Sequence, residues 1–174
     1  MLVAKYGGAF SNAIETAGHG ATRLAALLAR DFSSFDDVAS YDGRDVRFYK
    51  RAQICVADLY GAFQGERWGH FEDLAKLTAF ADYKVPQILR HLGVLHYGPV
   101  LAQHVDAKHV LASGSPEEVE IRAATIWGVE YLRRALASRG IHMRAFELDW
   151  YLWNLSQDES TAMRPYHRTR TIYY

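Results

Sequence analysis

The chain has 174 residues, and its 20 Lys+Arg balance 20 Asp+Glu, so the formal net charge is zero. With 49% apolar and 23% charged residues, the composition excludes a disordered chain and suits a globular fold with a core. The balanced charge argues against a general polyanion binder, so we expect no stable nucleic-acid binding.

The lone cysteine, Cys55, excludes an intrachain disulfide and a cysteine-based zinc site, and it suits a reducing compartment. Apolar stretches extend over only a few residues, whereas a membrane helix needs about 20. Residues 1–8 lack a long hydrophobic leader. We therefore expect a cytoplasmic protein that does not bind membranes.

Helical spacing dominates the first half of the chain. A helix that ends near Asp31 is predicted from an apolar stripe formed by Ala21, Leu24, Leu27 and Leu28. After a turn at Tyr41-Asp42-Gly43, Asp45 is the expected N-cap of a second helix. The apolar stripe of that helix consists of Phe48, Ala52, Cys55, Val56, Leu59 and Phe63. Residues 71–77 predict a further short helix.

The second half carries clearer start and stop signals. Pro86 suits the start of a helix that Gly93 ends. In Ser115-Pro116-Glu117-Glu118, an N-cap serine, a proline at the first helical position and a capping-box glutamate open a long helix that Gly140 ends. A last helix is predicted from about 142 to 155.

The tail is the only part that favours a strand. Residues 166–174 are polar and aromatic, and they could form one short strand. The aromatic and apolar end at residues 172–174 is unusual for a free tail, which predicts that the tail is docked. The predicted fold class is therefore mostly α, with a short C-terminal strand.

Histidine and cysteine patterns do not indicate a metal or nucleophile site. The pairs His91/His96 and His104/His109 are five residues apart, whereas ligands on one helical face are three or four apart. We expect no metal ion and interpret these histidines as surface or capping residues. Nucleophile-elbow, Walker and dinucleotide-binding motifs are also missing from the sequence. Cys55 lies on an apolar stripe and is interpreted as a core residue.

Two acidic residues lie in aromatic surroundings. Asp82 lies between Phe80 and Tyr83, at an extended-to-helix junction, and is either a partly desolvated functional acid or a plain N-terminal cap; position alone favours the cap. Asp149 shares a helical face with Trp153. It either meets a cationic ligand group or pairs with an arginine as a half-buried acid.

Two basic groups are candidates for binding a phosphate. Lys50 and Arg51 lie early in the second predicted helix, and the tail carries Arg164, His167, Arg168 and Arg170. The forked guanidinium of arginine suits a phosphate best. The alternative for each residue is a solvated face.

Five segments taken together resemble a known family in sequence, order and spacing. They are FYKRAQI (48–54), FADY with VPQIL (80–83 and 85–89), EVEIR (118–122), LDWYLW (148–153) and PYHRTR (165–170) followed by Tyr173-Tyr174. On these segments the chain resembles, over nearly its whole length, the queuosine salvage proteins, the queuosine 5′-phosphate N-glycosylase/hydrolase family. Members of that family are longer, so the resemblance implies that residues 1–174 are the C-terminal portion and that the N-terminal half is absent.

The resemblance implies a helical fold similar to helix-hairpin-helix DNA glycosylases, and no cofactor. It implies hydrolysis of queuosine 5′-monophosphate to queuine and ribose 5-phosphate, for queuine salvage in tRNA modification. Asp82 then matches the catalytic aspartate, Phe80 lines the nucleobase site, and Asp149 matches a substrate-binding acid.

Further substrate contacts are expected from the residue chemistry. Tyr83 and Trp153 offer aromatic surfaces to the substrate, and Lys50, Arg168 or Arg170 would hold its 5′-phosphate. Two other functions stay open. One is a glycosylase for a flipped base in DNA or RNA, which the neutral charge disfavours, and the other is an inactive fragment or interaction module.

Overall fold

The computed structural model describes residues 1–158 and 162–174, and it confirms a mostly α fold. The helices of the described residues are α1 (Leu2–Tyr6), α2 (Phe10–Thr16), α3 (Ala21–Asp31), α4 (Lys50–Ala62), α5 (Lys84–His91), α6 (Pro99–Asp106), α7 (Pro116–Ala137) and α8 (Ala145–Leu155). The strands are β1 (Val38–Tyr41), β2 (Arg44–Arg47), β3 (Val110–Leu111) and β4 (Arg168–Thr169). Short 3₁₀ turns occur at Ser33–Phe35, Arg67–Gly69 and Leu74–Lys76.

The chain folds as two compact units. The first consists of Met1–Val38, Arg47–Thr78 and Tyr173. The second consists of Ala39–Val46, Ala79–Ile172 and Tyr174. In the described part of the chain, no helix combines the length and the apolar character needed to cross a membrane.

In the first unit, α3 packs against α4. The predicted stripe of α3 is confirmed, because Leu24 and Leu28 are fully buried, and Ala52 and Val56 of α4 are buried as well. Gln53 ties the start of α4 to the end of the unit, since its amide donates to the Phe48 carbonyl at 2.9 Å and its Oε1 accepts from the Thr78 amide at 2.8 Å.

The predicted N-cap of α4 is wrong. Asp45 lies in β2, within a hairpin that the sequence pattern did not predict, and the carboxylate that meets the start of α4 belongs to Asp37. Its Oδ2 accepts from the Lys50 amide at 3.1 Å. The turn of this hairpin was predicted: Asp42 and Gly43 have φ values of 48° and 73°, the left-handed geometry of a tight two-residue hairpin turn.

The core of the second unit lies among α5, α7 and α8, which pack against one another. It is built from the buried residues Ala79, Val85, Ile88, Leu89, Leu95, Val129, Leu148 and Leu152. Gly128 of α7 permits the close approach of α5, because a Cβ at this position would lie 3.3 Å from Leu89 Cδ1. The predicted tail strand is confirmed as β4, which pairs in parallel with β3 in the register Val110↔Arg168.

Capping hydrogen bonds mark the residues at which α7 and α8 begin. The predicted serine cap of α7 is confirmed, since Ser115 Oγ accepts from the Glu118 amide at 3.4 Å, but the Glu118 carboxylate reaches the Gly114 amide instead of the amide of Ser115. The last helix begins at Ala145, three residues later than predicted, because Arg144 occupies its N-cap position and donates its amide to Glu147 at 2.7 Å. Of the helix predicted at 71–77, only the 3₁₀ turn Leu74–Lys76 forms.

Candidate functional site

The candidate site lies in the second unit, at the segment that leads into α5. Phe80, Ala81 and Asp82 are 3%, 1% and 5% exposed, and α5 begins two residues after Asp82. Asp82 Oδ1 accepts from the backbone amides of Lys84 and Val85, at 2.9 Å each. The carboxylate therefore caps α5, and the positive end of the helix dipole favours its negative charge.

Side chains of α7 and α8 form hydrogen bonds with the backbone that precedes Asp82. Asp149 of α8 is 3% exposed, and its Oδ1 accepts from the Phe80 amide at 2.8 Å. Arg122 of α7 is 2% exposed, and its Nε donates to the Ala81 carbonyl at 3.1 Å. Both peptide groups would otherwise be buried without a partner, which costs about 1–3 kcal/mol each. Asp82 consequently projects from a segment fixed by hydrogen bonds.

A buried ion pair supports this segment. Glu118 is 1% exposed and lies one turn before Arg122, whose Nη1 is 3.5 Å from Glu118 Oε1. The same oxygen accepts from the Tyr174 hydroxyl at 2.6 Å, while Oε2 accepts from the Gly114 amide at 3.1 Å. Hydrogen bonds to both oxygens are what allows a carboxylate to be buried at low cost.

Aromatic rings surround Tyr83. Its ring centroid lies 4.8 Å from that of Tyr166 and 6.4 Å from that of Tyr174. Lys84 Nζ lies 5.6 Å from the Tyr166 centroid, a cation–π distance. The predicted docking of the tail is thus confirmed for Tyr174, which packs into the second unit, whereas Ile172 is 65% exposed.

The expectation for His167 is corrected. It was grouped with the phosphate-binding cations, but it is 1% exposed, and burial lowers its pKa to about 4, with Arg122 acting in the same direction. It is therefore uncharged at neutral pH. Its Nε2 lies 3.3 Å from the Tyr174 hydroxyl, and within the described residues its Nδ1 has no hydrogen-bond partner.

The structure brings several of the predicted site residues together. Phe80, Asp82, Tyr83 and Asp149 share the segment before α5 or contact it directly. Trp153 lies one turn after Asp149 on α8 and is 42% exposed. Among the basic candidates, Arg168 and Arg170 are exposed in or beside β4 of the second unit, and Lys50 belongs to the first unit.

Sequence reasoning missed Arg122, Glu118 and Tyr174 as supports of this site. The local signal was the opposite charges of Glu118 and Arg122 one turn apart, flanked by the apolar Val119 and Ile121. Such a pair usually lies on a solvated face, and only the tertiary packing of α7 shows that it is buried.

The described residues contain neither a cluster of metal ligands nor an activated thiol. Across residues 1–158 and 162–174, no three His, Cys, Asp or Glu side chains are grouped to hold a metal ion, and the lack of a metal stays a prediction. Burial raises the pKa of Cys55 to about 11, so its thiol is protonated at neutral pH and a poor nucleophile.

A buried, hydrogen-bonded carboxylate at a helix start, with aromatic rings beside it, is suited to stabilise a positive charge that develops on a bound ligand. The sequence matches the queuosine salvage protein family over residues 1–174, so the chain belongs to that family.

Similar curated proteins carry the name queuosine 5′-phosphate N-glycosylase/hydrolase. The one from Sphaerobacter thermophilus is 57% identical over 174 residues, that from Dictyostelium discoideum 41% over 174, and that from Mus musculus 38% over 183. Each alignment covers 100% of this chain and 54% of the relative. The chain thus spans about half the length of the curated relatives it matches.

Proposed function

We propose that this chain supplies the catalytic carboxylate of an N-glycosidase that hydrolyses queuosine 5′-monophosphate to queuine and ribose 5-phosphate. Family membership and the names of the relatives support the reaction. The observation that carries the proposal is Asp82, a carboxylate 5% exposed and fixed by two backbone amides.

The chemistry needs one well-placed negative charge. When the bond between C1′ and the base nitrogen breaks, its electron pair leaves with the base, and the ribose acquires oxocarbenium character. The Asp82 carboxylate stabilises that cation, or captures it as an ester that water then opens. Overall, one water is consumed: its OH ends on C1′ and its other proton on the base nitrogen.

The base constrains how its departure is assisted. Queuine is a 7-deazaguanine, so the ring nitrogen that is often protonated in purine glycosylases is carbon here. Hydrogen bonds elsewhere on the base must carry the developing negative charge. We assign the side-arm ammonium to Asp149, and ring contacts to Phe80, Tyr83 and Trp153.

The phosphate contact and the cellular setting complete the proposal. Arg168, Arg170 or Lys50 would hold the 5′-phosphate, with Arg168 and Arg170 favoured by the guanidinium fork.

A cytoplasmic location agrees with a chain that has a single cysteine. The zero net charge fits a small nucleotide better than a nucleic acid.

The test is product identification by mass spectrometry. The 174-residue chain and a full-length family member are each incubated with queuosine 5′-monophosphate, and queuine and ribose 5-phosphate are quantified. Equal amounts of the two products support the proposal. Release of a base from DNA or RNA, with affinity that falls steeply with salt, would favour a nucleic-acid glycosylase instead. No release by the full-length member would contradict the reaction.

A further inference from the structure

Tyr174 lies next to Arg122 and Tyr83, which flank Asp82 on its two sides. Its ring lies 4.9 Å from the Arg122 guanidinium carbon, and Arg122 holds the carbonyl of Ala81, the residue before Asp82. The same ring lies 6.4 Å from that of Tyr83, the residue after Asp82. One aromatic side chain is therefore next to the guanidinium that holds the residue before Asp82 and next to the ring of the residue after it.

The Tyr174 hydroxyl also orients the ion pair behind that segment. It donates to Glu118 Oε1 at 2.6 Å, and the same oxygen is 3.5 Å from Arg122 Nη1. Glu118 and Arg122 are 1% and 2% exposed, so water cannot readily replace the tyrosine hydroxyl. Because these surroundings have a low dielectric constant, loss of the Tyr174 hydroxyl should let the Glu118 carboxylate and the Arg122 guanidinium shift.

We propose that Tyr174 is a positioning residue for Asp82, acting through Glu118, Arg122 and the Ala81 carbonyl. This inference rests on the proposed function, in which Asp82 is the catalytic carboxylate. Small displacements of a catalytic group cost rate much more than affinity when the substrate is bound mainly by other contacts. The effect of Tyr174 should consequently appear in kcat and not in KM.

The variant Tyr174→Phe separates this role from packing, because it keeps the ring beside Arg122 and Tyr83 and removes only the hydroxyl. We expect kcat for queuine release to fall about tenfold, the effect of losing one hydrogen bond to a charged group, with KM within about twofold of wild type. Tyr131→Phe is the matched control, since Tyr131 is 61% exposed on α7. It should leave kcat and KM unchanged.

A double-mutant cycle with Glu118→Gln tests whether the two residues act together. If the hydroxyl acts through Glu118, the Tyr174→Phe and Glu118→Gln double variant should lose little more kcat than the worse single variant. Independent, multiplied losses would overturn the coupling.

The deciding measurement does not depend on activity. Backbone amide chemical shifts of the ¹⁵N-labelled chain are compared between wild type, Tyr174→Phe and Tyr131→Phe. Shifts at Ala81, Asp82 and Tyr83 in Tyr174→Phe alone support the positioning role, and shifts confined to Glu118 and its neighbours overturn it. If the full-length family member releases no queuine, the proposed function fails, and the amide shifts still decide whether Tyr174 positions the segment.

Discussion

At the scale of single residues, Asp82 is a helix cap whose carboxylate we also propose as the catalytic group. Sequence position favoured a plain N-terminal cap, and Oδ1 does accept from the amides of Lys84 and Val85. These hydrogen bonds also fix the direction of the carboxylate in a site where it is 5% exposed. The capping interaction therefore provides the preorganisation that the proposed electrostatic catalysis requires.

Asp149 likewise has a structural task beside its proposed ligand contact. It accepts from the buried Phe80 amide at 2.8 Å, so Asp149→Ala should reduce the free energy of unfolding by about 1–3 kcal/mol. Asp149→Asn keeps an oxygen for that amide and removes the charge. We predict that it raises KM for queuosine 5′-monophosphate more than for 7-deazaguanosine 5′-monophosphate, which lacks the cationic side arm.

Steady-state kinetics on both substrates, with urea unfolding of the same samples, checks this prediction. Asp149→Ala serves as the comparison, because it loses both the hydrogen bond to the Phe80 amide and the negative charge. An equal rise in KM for the two substrates would contradict the side-arm contact.

His167 makes stability depend on pH in a defined window. Its pKa is lowered from 6.5 to about 4 in the folded chain, so the unfolded chain binds a proton first as the pH falls. The free energy of unfolding should therefore decrease from about pH 6.5 toward pH 4, by roughly 3 kcal/mol from this group. The charged and polar groups that face it include Arg122 and the Tyr174 hydroxyl.

Urea unfolding of wild type and His167→Gln between pH 4 and pH 8 isolates this contribution, since other groups titrate equally in both. The difference in free energy between them should be constant above about pH 7 and should change below it. Parallel curves over the whole range would mean that His167 is not a buried neutral side chain.

At the scale of elements, the long periodic helices could be predicted, whereas most of the short elements could not. Helix α7 has a serine cap, a proline at its first position and a long apolar pattern, and each signal points to the same start. The strands β1 and β2 have four residues each, too few for alternation to be recognised, and only the Asp42-Gly43 turn marked them. Helix α6 was missed because it is short and buries only Val105.

The candidate site likewise has a part that local sequence signals predict and a part that they do not. The Asp82 junction could be predicted from local signals, Pro86 and the aromatic neighbours, although α5 begins at Lys84, two residues before the predicted start at Pro86. The contacts of Arg122 and Asp149 with the peptides of Phe80 and Ala81 join residues about 40 to 70 positions apart, so no local pattern contains them. Tertiary packing alone decides that these charges face inward.

Packing between α5 and α7 gives a prediction at this scale. A Cβ on Gly128 would lie 3.3 Å from Leu89 Cδ1 and 3.7 Å from Val94 Cγ1. Gly128→Val should lower the free energy of unfolding by about 1–3 kcal/mol, since extra methyl groups force the helices apart. Gly128→Ala should be nearly neutral, because the gain in helix propensity offsets a contact with a flexible side-chain end.

Urea unfolding of both variants checks the packing prediction. Because α5 carries the amides that hold Asp82, Gly128→Val should also lower kcat. A Gly128→Val protein as stable as wild type would show that the two helices do not approach as closely as described.

At the scale of the whole molecule, the zero net charge and the family membership point in the same direction. A chain with zero net charge lacks the basic excess that favours binding of a polyanion, which agrees with a single nucleotide as the proposed substrate. The chain covers 54% of relatives that carry the enzyme name, so the activity of the whole enzyme is tested with a full-length member alongside it.

The most direct test of the central claim is the rate of queuine release by Asp82→Asn, with its melting temperature measured on the same sample. Asparagine keeps an oxygen for the amides of Lys84 and Val85 and removes the negative charge. Asp58→Asn, on an exposed part of α4, is the control for a lost carboxylate. We predict that Asp82→Asn lowers the rate by about 10²–10³-fold, while the melting temperature stays within about 2 °C of wild type. A well-folded Asp82→Asn protein that releases queuine at the wild-type rate would contradict the assignment of Asp82 as the catalytic residue.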